Sequence, residues 1–109
     1  VMQADLAAGK SMLLLGDFNH IPGTAEYDLW MDAGWVDTFA VAGTGSGYTY
    51  RADGLLGQID YVMAAGPLAS MVVEARSLYE GAFRLDISDP EAIALSDHLP
   101  MLAVFEDSE

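Results

Sequence analysis

The chain has no cysteine, only four lysines and arginines, and no apolar run long enough to span a bilayer. Each absence removes a class of function. Without cysteine there is no disulfide, no thiolate metal site and no thiol nucleophile, and the redox compartment stays undecided. Four cations stand against 17 aspartates and glutamates, a formal charge of -13. Such a field repels nucleic acid and anionic membranes at long range, while still admitting a local phosphate site. The apolar stretch at residues 12–15 falls far short of the roughly 20 residues a spanning helix needs. The opening "VMQADLAAGK" has no basic segment followed by an apolar one, so no signal peptide is visible. Val1, Met2, Leu6 and Ala7 read instead as the last turns of an amphipathic helix, and the chain is expected to begin inside a larger unit.

What is present is a globular composition, 52% hydrophobic and 10% aromatic over 109 residues, enough for one domain with a real core. Residues 12–15 predict a strand covered on both faces. Pro22-Gly23 marks a turn, and Thr24 is placed to cap a helix running to about residue 33. Tyr27, Trp30 and Met31 form the core face of that helix, and Gly34 suits its end. Residues 35–39 predict an extended edge, 42–47 a loop, 48–50 a β segment, and 58–63, 71–78 and 99–105 further strands. Residues 79–95, with Asp89-Pro90, predict a loop with a helical turn at 91–94. No internal repeat or linker divides this α/β unit.

Three short motifs carry chemistry. "GDFN", residues 16–19, follows an apolar strand, and in α/β sheets ligands bind beyond the carboxyl ends of strands. Asp17 there can orient water or bind a cation, and Asn19 can donate to a phosphoryl oxygen. A plain turn, with Asp and Asn satisfying local amides, explains the same four residues equally well. A calcium loop does not, because Ile21 and Pro22 fall where a ligand and a glycine are needed. "QIDYVM", residues 58–63, sets Asp60 in an apolar strand, where a carboxylate without a partner is costly. With cations scarce, histidine is the partner to look for. "SDHLP", residues 96–100, offers His98 before the last strand. A carboxylate on one imidazole nitrogen fixes the tautomer and leaves the other facing substrate. Asp60 could hold His98 in this way, with Asp97 left for metal or orientation; alternatively, His98 is structural. Two decoys fail. "GTGSG" opens no helix and precedes no lysine, and Ser46 lacks the spacing of a nucleophile elbow. His20 fits a site rim or an ordinary surface position.

In this order, "GDFN", "IDY" and "SDHLP" before the last strand resemble the endonuclease/exonuclease/phosphatase superfamily, the DNase I-like fold. The resemblance covers almost the whole chain and matches the C-terminal half of that family. It implies half of a four-layered α/β sandwich: one mixed sheet with helices on one face, residues 1–109 forming the C-terminal half and the N-terminal half absent. It further implies a metal-dependent phosphoesterase, a phosphodiesterase or nuclease-like hydrolase. Asp17 would position the nucleophile, Asn19 would bind a phosphoryl oxygen, and Asp60 would pair with His98, which stabilises the transition state or acts as acid-base group. Asp97 and Asp17 would belong to the metal side, with magnesium or manganese as cofactor. Gln58 stands where many members carry a basic residue, and the family's metal-binding glutamate belongs to the absent half. The site as encoded is therefore expected to be incomplete.

The alternative is an inactive half-domain that self-associates and at most binds metal or phosphate. A homodimer or a missing N-terminal half is the expected partner, with Met12, Leu14, Ile59 and Tyr61 as candidate apolar surface. The substrate is a phosphate ester of unread class. The acidic balance, with Lys10, Arg51, Arg76 and Arg84 as the only cations, counts against tight nucleic-acid binding. Localisation is not readable.

Overall fold

A computed structural model describes residues 2–45, 47–52, 55–78 and 98–107. The expected helical turn at 91–94, Ser46 and Asp97 lie outside the described residues. The order is α1 (Met2–Ala7), β1 (Met12–Asp17), α2 (Ala25–Asp32), β2 (Val36–Asp37), α3 (Thr38–Ala42), β3 (Tyr50–Ala52) and β4 (Leu55–Gly57). Then come β5 (Asp60–Ala65), a 3-10 segment (Gly66–Met71), β6 (Val72–Ser77) and β7 (Met101–Phe105).

Local chemistry accounts for the boundaries. The Thr24 hydroxyl accepts the Tyr27 amide and opens α2. The helix gives way at Gly34, whose φ of 104° suits a residue without a Cβ. The expected extended edge at 35–39 is shorter than the apolar pattern implied. Asp37 ends β2 after two residues because its carboxylate accepts the Phe39 amide at 3.0 Å and starts α3. A capping carboxylate outweighed the propensity of Val36 and Phe39 to stay extended.

The central sheet has the order β1-β5-β2, and β3-β4 and β6-β7 form two-stranded sheets. All of these pairings are antiparallel. Parallel contact among the described residues is confined to a bridge between Gly43 and Ala75. The α/β class holds, with the sheet built from antiparallel neighbours. In the β1–β5 register Met12, Leu14 and Gly16 face Ala65, Met63 and Tyr61, while Leu13, Leu15 and Asp17 face Ala64, Val62 and Asp60. The first set points to the core. Trp35, Tyr61, Met63 and Ala65 form its buried centre, with Leu6 of α1 and Tyr27, Trp30 and Met31 of α2 packed on it.

Two expectations are corrected here. β1 is not covered on both faces: Leu13 is 49% and Leu15 62% exposed. It stands at the edge of its sheet, and α1 and α2 cover only the face bearing Met12 and Leu14. The apolar surface therefore falls on the opposite set from Met12, Leu14 and Tyr61, all of which pack in or against the core. Strand parity decides this, since a shift of one residue exchanges faces.

Candidate active site

The β1–β5 register sets Asp17 directly opposite Asp60, at the end of β1 and the start of β5. Like charges directly opposite across a ladder are unfavourable, so this pairing asks for a positive or donating group between them. His98 meets that demand. Its Nδ1 lies 2.8 Å from Asp60 Oδ2 and its Nε2 lies 3.9 Å from Asp17 Oδ2. An ionised carboxylate can only accept, so Nδ1–H donates to Asp60 and the tautomer is set. One ligand atom from each of Asp17, Asp60 and His98 falls within 4.8 Å of the others.

Each of the three side chains is fixed by backbone chemistry. Asp17 Oδ1 accepts the Asn19 amide at 2.9 Å, and Asn19 takes φ 56°, a left-handed value that asparagine tolerates. The turn reading of "GDFN" is thus correct as local structure, and the turn delivers Asp17 Oδ2 toward His98. The Phe18 amide bonds the Ile59 carbonyl at 2.8 Å, locking this turn to the entry of β5. The Tyr61 hydroxyl lies within donating reach of the carbonyls of His20, at 2.9 Å, and Gln58, at 3.1 Å. His98 forms a bridge with Tyr50, and their rings stand 5.0 Å apart.

Of the cationic side chains described, Lys10 pairs with Asp5 at 2.9 Å and Arg76 with Glu74 at 3.1 Å, so neither is the partner of Asp60. Asn19 sits beside Asp17 on an exposed turn. His20 turns inward, its ring against Phe18, Tyr27 and Tyr61. Both its ring nitrogens are buried with no hydrogen-bond partner among the described residues. That placement corrects the surface reading, because the aromatic packing buries the imidazole nitrogens.

Two further groups had no sequence signal strong enough to single them out. Asp37 is 2% exposed and accepts from the Tyr27 hydroxyl at 3.1 Å. Burial pushes its carboxyl above the usual range, against the opposing pull of Tyr27 and the Phe39 amide. Burial and the neighbouring Asp37 charge push the Tyr27 phenol up to about 12. The pair borders a pocket of about 430 Å³ that Ile21, Pro22, Phe39 and Gln58 also line. Thr49, fully buried, accepts two amides at the start of β5. Nothing in "YTY" marks a threonine as different from any other strand residue.

No curated protein matches the sequence. Among solved structures, the chain is similar to an endonuclease/exonuclease/phosphatase family protein from Leptotrichia buccalis, with 21% identity and a TM-score of 0.67. That likeness covers 97% of this chain and 41% of the other. It is also similar to the 3′ phosphatase NExo (D146N) from Neisseria bound to product DNA hairpin, with 21% identity and a TM-score of 0.70, over 96% of this chain and 49% of that one. The chain thus spans less than half the length of either, and at this identity the likeness shows the fold. A sequence model described as "Endonuclease/Exonuclease/phosphatase family" matches residues 1–98. With nine-tenths of its length matched, and Asp17, Asp60 and His98 of its three motifs converging in space, the chain belongs to the endonuclease/exonuclease/phosphatase family.

Proposed function

We propose that this chain carries the Asp–His side of a metal-dependent phosphoesterase site and corresponds to the C-terminal half of the family's domain. The observation that carries the reading is the convergence of Asp17, Asp60 and His98 on one point from three separated motifs. A core histidine needs no pair of opposed carboxylates, whereas phosphoryl transfer needs charge held in place at the reacting group.

The donor set suits a divalent cation. Asp60 is engaged by His98, which leaves Asp17 as the described carboxylate for metal. Magnesium keeps several waters and takes one or two carboxylates beside substrate phosphate, so the arrangement fits. Asp17 would hold the ion, with Asp97 as a second carboxylate in our reading. Bound there, the ion would neutralise charge developing on the phosphoryl oxygens. The chain's own residues have separate tasks. Asp17 accepts a proton from the attacking water or holds it in line. The Asn19 amide group donates to a non-bridging oxygen. Asp60 fixes the imidazole and stabilises its protonated form. His98 Nε2 then donates to the phosphoryl group as its charge grows. The substrate is a phosphate ester; the DNA in the Neisseria phosphatase structure makes a 3′-phosphorylated nucleic-acid end one candidate, against which the charge of -13 works.

Turnover by the chain alone is expected to be weak, because removal of one preorganised donor costs on the order of a hundredfold in rate and the family's glutamate is not here. The decisive experiment therefore has two arms. Manganese added to labelled protein should broaden amide signals of residues 16–20 and 60 first, and Asp17→Asn should abolish this. Any hydrolysis of bis(p-nitrophenyl) phosphate should require metal and vanish in both Asp17→Asn and His98→Ala. Broadening elsewhere, with hydrolysis that survives both substitutions, refutes the proposal. A second reading, an inactive half-domain that self-associates, is favoured by one observation: Leu13 and Leu15 stand exposed on β1, while their partners Ala64 and Val62 on the same face of β5 are buried.

A further inference from the structure

We infer that Thr49 is the positioning residue of the Asp60–His98 pair, a strut whose hydroxyl and backbone together fix both partners. The inference rests on the proposed role of that pair. The Thr49 Oγ1 accepts the Ile59 amide at 3.0 Å and the Asp60 amide at 3.1 Å. In an extended strand successive N–H groups point to opposite sides, so two consecutive amides reach one oxygen only where the backbone is kinked. Thr49 thus holds the kink from which β5 starts, and Asp60 is its first residue. A hydroxyl oxygen has two lone pairs, and here both have a claimant.

The backbone of the same residue ties down the other partner. The Thr49 carbonyl accepts the Leu99 amide at 2.7 Å, next to His98, and the Thr49 amide donates to the Gly57 carbonyl at 3.0 Å. Its neighbour Tyr50 bridges to His98 and sets a ring beside the imidazole. One short segment therefore reaches both "IDY" and "DHLP", which lie 38 residues apart at Asp60 and His98. The strut is dry, since Thr49 is 0% and Leu99 7% exposed, so water is poorly placed to replace a lost bond. Valine has the shape of threonine and lacks only the oxygen. In Thr49→Val, both amides would lose their acceptor while the packing volume stays, freeing Asp60 to move from His98.

The test uses the full chain and does not depend on turnover. In wild type the His98 Nδ1–H proton should give a downfield resonance at fixed pH and low temperature, as expected for a donor bonded to carboxylate. Thr49→Val should lose or shift that resonance, and exchange at the Ile59 and Asp60 amides should quicken by about tenfold, the worth of one net hydrogen bond. Thr49→Ser, which keeps the oxygen, should restore both. Where turnover is measurable, kcat should fall about tenfold to a hundredfold in Thr49→Val with KM little changed. A Thr49→Val protein that is less stable but keeps the wild-type His98 resonance would overturn the inference, since Thr49 would then support the fold alone. So would a Thr49→Ser protein that behaves like valine. Should wild type show the resonance and its dependence on Thr49 but bind no metal and hydrolyse nothing, the strut stands and the phosphoesterase reading falls.

Discussion

Asp17→Asn should make this protein more stable. Asp17 and Asp60 are opposed in register, with ligand atoms no more than 4.8 Å apart. Two unit charges at that distance repel by about 0.9 kcal/mol in bulk water and about 3.5 kcal/mol at an effective dielectric of about 20. Asp17 is 38% and Asp60 19% exposed at the side chain, so solvent screens the pair and the lower figure is nearer. A gain of about 1 kcal/mol follows, or about 4–8 °C in Tm for a domain of this size. Asparagine keeps the acceptor oxygen, so the bond from the Asn19 amide survives and the turn is not lost. The measurement is urea or thermal unfolding at fixed pH and low salt, where repulsion between exposed charges is least screened. Removing any carboxylate from a chain of charge -13 relieves some repulsion, so Asp107→Asn, on an exposed residue near the C-terminus, is the control. Equal gains in the two variants, or a loss in Asp17→Asn, would refute the argument that the site is held against its own electrostatics. Added magnesium should stabilise wild type and not Asp17→Asn, by about 1.4 kcal/mol at ten times the dissociation constant.

Other expectations read out different parts of the fold. Tyr27 titrates at about 12, above the ordinary tyrosine range; it therefore contributes stability that is intact below about pH 10 and lost as pH rises toward 12. Tyr27→Phe should flatten alkaline unfolding over that window, while Tyr61, pushed up by burial, retains part of the slope. Tyr61→Phe should cost about 1–2 kcal/mol in denaturant unfolding, because two carbonyls share its hydroxyl and lose their donor together. Met63→Ala, at the fully buried centre of β5, should cost about 2–5 kcal/mol by the same measurement, and Leu29→Ala, exposed on α2, under about 0.5 kcal/mol. Gly66→Ala should unfold more readily than either surface control, since φ 69° disfavours any Cβ and one there would meet the Lys10 carbonyl.

How much of this was legible beforehand depends on the kind of interaction. α2 was readable because Thr24, Tyr27, Trp30 and Met31 sit at helical spacing behind a turn, and local periodicity is written in the chain itself. The Asp60–His98 contact was readable for a different reason: a carboxylate in an apolar strand must have a partner, and cations were few. The opposition of Asp17 and Asp60 was not readable, because register is set by how two distant strands slide against each other. Nor was the exposure of Leu13 and Leu15, since an apolar run looks the same whether one face or both are covered. Asp37 reads in sequence as part of an extended edge, although a carboxylate just before a small apolar helix is a capping pattern. Thr49 acts through its hydroxyl on amides ten residues away, and no spacing rule reaches that far.

The exposed leucines of β1 raise a last question, whether a second copy of the chain can cover them. Leu13 and Leu15 point to the same side as Asp17 and Asp60, so whatever covers the leucines also closes over the site. Full burial of a leucine is worth about 1.5–3 kcal/mol, and these two are 49% and 62% exposed, so each offers about 1–1.5 kcal/mol. An isologous pair would bury four, for about 4–6 kcal/mol. Association itself costs an estimated 4 to 15 kcal/mol or more, and two chains of charge -13 repel until salt screens them. β1 can add backbone hydrogen bonds along the edge that no described strand pairs, each worth about 1 kcal/mol net. The sum reaches at best a weak dimer, with a dissociation constant near the millimolar range. Light scattering should therefore show a monomer at micromolar concentration and a rising mass only toward millimolar, more so at high salt. Leu15→Glu should abolish the rise while leaving the His98 Nδ1–H resonance in place. A tight dimer at micromolar concentration would mean that a larger surface than this patch is used; a strict monomer at millimolar concentration would rule out self-association through these leucines.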